Sequence, residues 1–378
     1  MPDDLTATDS AASPQPRSIR FVAGTLLVLG LQSLVHVLAA VWRGPPIPLE
    51  VQVLAPVAAW GLLRSRQWGW LIAMLLIWSV LLTCGAILAA TALGDPMEMT
   101  ALGLAVRQPL AIAAIGLGGI LFYGWLHWLL TRPAVLRIFR PATTRPWGPA
   151  GTLALGTVAV SAGQIVGGIA AAWLLDLPPS ELQDPVRLIG NGAFLAAMSA
   201  VGAPITLATV GLFVWLRHGP SLRDYLGLRP ATLRALAVGV GATLVLTSVE
   251  HAVHVGLGRP IPDFVANSYR SGADSALLWL AFVVLAPLAE EVVFRGFLLR
   301  GLAASCRAGT AIAVTALAFA ALHLGQYGAL DLGFLTAFGA ALAVARLCTG
   351  SLLVPITMHA TMNLVALLGT AAHFANER

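Results

Sequence analysis

The chain has 378 residues, of which 58% are hydrophobic and only 10% charged. A soluble domain carries about 25% charged residues, so this composition excludes a soluble fold, and its aliphatic richness excludes disorder. The net charge of +5 comes from 22 basic residues, all arginine and mostly between apolar runs, which fits cytoplasmic loops and argues against a nucleic-acid partner.

Residues 1–19 are polar and acidic, without a basic n-region or a small-residue cleavage site, and predict a disordered cytoplasmic tail before an uncleaved span. Crossing ~30 Å of hydrocarbon takes about 20 apolar residues. About eleven stretches approach that length. They centre near Leu29, Pro56, Leu76, Gly118, Ser161, Ala203, Leu244, Leu285, Leu317, Phe338 and Val365. The expected fold is therefore an all-α polytopic membrane protein. The second stretch, between Pro48 and Leu63, is the shortest and carries Glu50 near one end, which suits a re-entrant segment.

Residues 20–131 make a four-span N-terminal bundle whose only ionisable groups near mid-membrane are His36 and His127. The stretch 132–150, rich in arginine and proline, predicts a cytoplasmic linker, and 151–378 hold a seven-span C-terminal bundle. A cytoplasmic N-terminus puts Arg64, Arg66, Arg132, Arg137, Arg217, Arg223, Arg300 and Arg346 inside. It puts Asp95, Glu98, Glu181, Asp184, Asp263, Asp274 and Asp331 outside, although Arg43, Arg107, Arg187, Arg259 and Arg270 run against the bias. The expected location is a bacterial plasma membrane. Cys84, Cys306 and Cys348 are far apart and read as apolar filler, not as a zinc or disulfide framework.

Ionisable groups inside spans are costly and default to functional candidates. Glu250, His251 and His254 lie near the outer end of the seventh span, where Glu250 and His254 share a helical face. The order is not the His-Glu-x-x-His of a zincin, and an interfacial role is the preferred reading.

The second cluster is spread over three spans. Glu290 and Glu291 are consecutive in APLAEEVVFRGFLLRG, and Arg295 sits one turn beyond Glu291. The spacing predicts a Glu291–Arg295 ion pair, which leaves Glu290 free to take a proton. Pro287 predicts a bend one turn earlier. His323 follows Phe319 by four residues, and Asn363 follows His359 by four. At 1.5 Å per residue, Glu290, His323 and His359 fall at a common depth.

The pattern P-x-x-E-E-x-x-F-R-G, then F-x-x-x-H, then P-x-x-x-H-x-x-x-N resembles the CAAX-protease and bacteriocin-processing (CPBP, Abi) intramembrane proteases. That family includes the type II CAAX prenyl endopeptidases. Its carriers are Pro287, Glu290, Glu291, Phe294, Arg295 and Gly296, then Phe319 and His323, then Pro355, His359 and Asn363.

The resemblance implies hydrolysis of a peptide bond in a membrane-associated protein or peptide, with the lipid bilayer as surroundings. Glu290 would act as general base. His323 and His359 would hold the water and the oxyanion or ligate a divalent metal, and Asn363 would donate to the oxyanion or orient His359. A zinc held by Glu290, His323 and His359 is the metal form of that scheme. The rivals are a non-catalytic adaptor or immunity protein of the same fold and a proton-coupled transporter.

Overall fold

The computed structural model describes residues 16–43, 51–92, 99–101, 104–106, 108–139, 146–178, 188, 190–217, 221–258, 262–272 and 275–376. The proposed tail up to residue 15 lies outside these, as do Glu50, Asp95, Glu98, Arg107, Glu181, Asp184, Arg187, Arg259 and Asp274. The chain divides into two compact units, Met1–Pro141 and Ala142–Arg378.

The first unit contains α1 (Arg17–Arg43), α2 (Ala55–Leu63), α3 (Gln67–Ala92), α4 (Pro109–Thr131) and α5 (Pro133–Phe139). Helix α1 begins at Arg17, three residues before the expected span, because Pro16 starts the first turn with its carbonyl. Antiparallel strands β1 (Met99–Ala101) and β2 (Leu104–Val106) form one small hairpin, the exception to an all-α fold among the described residues. At the α2–α3 turn a Cβ on Gly61 or Gly69 would strike the facing backbone, so glycine alone permits that approach. His127 stacks edge-on against Trp78 with centroids 5.3 Å apart, a packing role.

The second unit contains α6 (Pro149–Leu174), α7 (Gly192–Leu216), α8 (Leu222–Leu226), α9 (Leu233–Gly256), α10 (Asp263–Gly272), α11 (Ala276–Ala303), α12 (Ala308–Ala321), α13 (Ala329–Thr349) and α14 (Leu353–Asn376). Part of the expected linker is structured here. Trp147 is fully buried, and its indole N–H donates to the Phe213 carbonyl at 3.2 Å. Helices α6 and α7 cross through Gly163, Gly167 and Gly202, where an added Cβ would meet backbone carbonyls of the partner helix.

Each of the eleven predicted apolar stretches forms a helix. Among the described residues, nine helices are long and apolar enough to cross a bilayer, which makes the chain an integral membrane protein. Two are shorter: Gln52–Leu63 and α12. At 14 residues α12 rises about 21 Å, short of a full span, so the ninth crossing is not a simple one.

Helix α11 carries the diglutamate and is irregular in a way the pattern does not announce. Its backbone widens to π-helix at Ala281–Leu285 and again at Val292–Leu298, with the α-helical stretch Ala286–Glu291 between. Pro287 falls just past the first π stretch. In i→i+5 pairing the Phe282 carbonyl would face the Pro287 nitrogen, which has no hydrogen to give.

Candidate active site

The Glu291–Arg295 pair forms as the spacing predicts. Arg295 Nη1 donates to Glu291 Oε1 at 2.7 Å, and both side chains are fully buried. Arg295 Nη2 reaches across to the Gly339 carbonyl of α13 at 3.0 Å. Its guanidinium also lies over the Phe319 ring, 4.7 Å from the centroid. One cation thus ties α11, α12 and α13 together.

Glu291 has a second partner that sequence spacing does not reveal. His359 Nδ1, from α14, lies 2.9 Å from the same Oε1. A carboxylate already paired with an arginine accepts, so Nδ1 carries the hydrogen and Nε2 is left toward the cavity. There Nε2 stands 3.9 Å from Glu290 Oε2. Glu290 is 29% exposed, while its Oε2 is buried without a hydrogen-bond partner.

His323 lies two residues past the end of α12. Its Nδ1 is 2.9 Å from the Phe319 carbonyl, one of the acceptors left over at a helix C-terminus, so here too Nδ1 carries the hydrogen. Phe319 packs against both imidazoles, with centroids at 5.0 Å from His323 and 5.5 Å from His359. Asn363 Nδ2 donates to the Phe282 carbonyl at 2.7 Å, the acceptor that Pro287 leaves without a donor.

Glu290, His323, His359 and Asn363 line one cavity of about 210 Å³, together with Tyr327 and Gln326. Glu291 and Arg295 stand behind it. Tyr327 escaped the sequence reading because it belongs to no spaced motif. Burial pushes its phenol well above the ordinary range, and the carboxylates of Glu250, Asp331 and Glu290 push it further, so it stays a donor at neutral pH.

The donor chemistry of Glu290, His323 and His359 would suit zinc, but the geometry does not assemble a shell. Among the described residues, three ligand atoms within 4.8 Å of one another occur at Glu250, His254 and Asp331, not at these three. Glu250 and His254, read as interfacial from the sequence, are accordingly gathered with a residue from another helix.

Residues 272–365, which include Glu290, Glu291, Arg295, His323, Tyr327, His359 and Asn363, match the family described as type II CAAX prenyl endopeptidase Rce1-like. The chain is also 31% identical over 133 residues to an Escherichia coli protein described as an uncharacterized 24.3 kDa protein. That alignment covers 34% of this chain and spans 61% of the relative's length. No solved structure matches the chain significantly.

Proposed function

We propose that the chain is an intramembrane endopeptidase that hydrolyses a peptide bond in a membrane-associated peptide or protein, with a water activated by Glu290. The observation that carries this reading is the pairing of an unpartnered, buried Glu290 Oε2 with His359 Nε2, 3.9 Å apart, facing a cavity. That separation is too long for a direct hydrogen bond and suits a bridging water.

Such a water donates one hydrogen to Glu290 and the other to His359 Nε2, which turns its lone pair toward an incoming carbonyl. On attack Glu290 takes the proton, and it returns that proton to the leaving amine. Glu291 fixes the imidazole tautomer of His359 and favours any positive charge that develops on the ring. The Tyr327 hydroxyl and the second amide hydrogen of Asn363 are the donors available to the oxyanion, and His323 joins them when protonated.

No step here passes through a metal. Zinc on Glu290, His323 and His359 is the rival form, and it would convert Glu290 from base to ligand. The family match supports a CAAX-type substrate, prenylated at its C-terminal cysteine. A leader or pheromone peptide is the alternative. The arginine bias favours a cytoplasmic N-terminus, and a bacterial plasma membrane is our proposed location for the chain.

The test is product analysis with the purified full-length chain in nanodiscs, offered prenylated and unprenylated membrane peptides in ¹⁸O-labelled water. Hydrolysis puts one label into the new carboxylate. Binding of peptide with no cleavage under any condition would instead favour the adaptor reading.

A further inference from the structure

A second polar cluster lies apart from Glu290 and takes no part in the proposed reaction. Glu250 and His254 come from the last two turns of α9, and Asp331 from the first turn of α13. One ligand atom from each falls within 4.8 Å of the others. His254 Nε2 is 2.9 Å from Asp331 Oδ1, with His254 nine-tenths buried.

The directions are wrong for a hydrogen bond, however. His254 Nδ1, His254 Nε2 and Asp331 Oδ1 are all buried without a hydrogen-bond partner. Buried polar atoms are hydrogen-bonded in roughly 90% of cases, so three orphans in one cluster call for a ligand. The other Asp331 oxygen is occupied, because Gly328 N donates to Oδ2 at 3.2 Å and caps α13.

Charge points to a cation. Two carboxylates converge on one imidazole at the C-terminal end of α9, where the helix dipole also favours positive charge. A proton on His254 would neutralise only one of them. A divalent ion neutralises both and takes the two facing orphans, Nε2 and Oδ1, as ligands.

The cluster opens on a cavity of about 480 Å³ lined by Thr247, His251, Tyr327 and His373, which leaves room for a water in the remaining position. Tyr327, Leu335, Met362 and Asn363 line this cavity and the Glu290 cavity alike. We infer that Glu250, His254 and Asp331 form a divalent transition-metal site of zinc type, separate from the Glu290 site, that pins α9 to α13.

The test uses the full-length chain in detergent, stripped with chelator and then given zinc alone. The expected result is one zinc per chain in the parent and in Glu290→Gln. Zinc binding should be at least about a hundredfold weaker in His254→Gln and in Asp331→Asn, the latter keeping an acceptor for Gly328 N. X-ray absorption on the zinc-loaded parent reads the ligand set without any substitution: one imidazole plus oxygens is expected. Failure of the parent to take up stoichiometric zinc, undiminished binding in both cluster variants, or a shell with two imidazoles would overturn the assignment.

Discussion

His359 Nδ1 donates to Glu291 Oε1 at 2.9 Å, the same oxygen that accepts from Arg295 Nη1 at 2.7 Å. The buried ion pair therefore also sets the tautomer of the imidazole that faces Glu290. Removing either charge strands the other in a low-dielectric interior, at a cost of about 3–5 kcal/mol. Glu291→Ala and Arg295→Ala should each lower thermal stability by that order, and the double variant should recover part of the loss. Strictly additive losses in a double-mutant cycle would show that the two are not coupled.

Because His359 is held through Nδ1, its Nε2 is the working atom. His359→Ala should lower the cleavage rate at least about a hundredfold. His359→Gln, whose amide oxygen can still accept from water, should recover part of it. Metal analysis of both variants supplies the second readout. Unchanged zinc content fits the scheme, and zinc lost in step with activity would support ligation by His359.

How much of this was legible in the sequence depends on distance along the chain. The Glu291–Arg295 pair follows from helical spacing, since four residues place two side chains on one face. The Glu291–His359 contact joins residues 68 apart and depends on how α11 and α14 pack, which periodicity does not encode. Pro287 signalled an irregular helix, but the π form on both sides of the diglutamate, and the repair of the Phe282 carbonyl by Asn363, needed coordinates. Length alone misjudged α12, because its apolar run extends past Ala321 into the turn that carries His323. The sequence puts Asp331 outside on charge bias, but its cap on α13 and its approach to His254 depend on packing that spacing does not encode.

Asn363 has a structural duty as well as a place in the cavity. Asn363→Ala should cost about 1–3 kcal/mol of stability, because it leaves the part-buried Phe282 carbonyl without a donor. Thermal unfolding in detergent measures this. Full stability with a lost cleavage rate would make Asn363 an oxyanion donor alone.

The α6–α7 crossing forms one wall of the Glu290 cavity through Gly163 and Gly202. A Cβ on Gly202 would sit 2.6 Å from the Gly163 carbonyl oxygen. Gly202→Ala should therefore destabilise by about 1–3 kcal/mol through overpacking. It should also raise KM more than it lowers kcat, since the wall moves and the reacting groups do not. An unaltered melting temperature would contradict the close crossing.

In the proposed reaction Glu290 moves the proton. Glu290→Gln is nearly isosteric and removes a half-buried carboxylate whose Oε2 has no hydrogen-bond partner, so the fold should lose nothing. The direct measurement is the single-turnover cleavage rate of Glu290→Gln beside the parent, on the same membrane peptide and at matched stability. A fall of at least about a hundredfold is expected. Equal rates for the two proteins would contradict it.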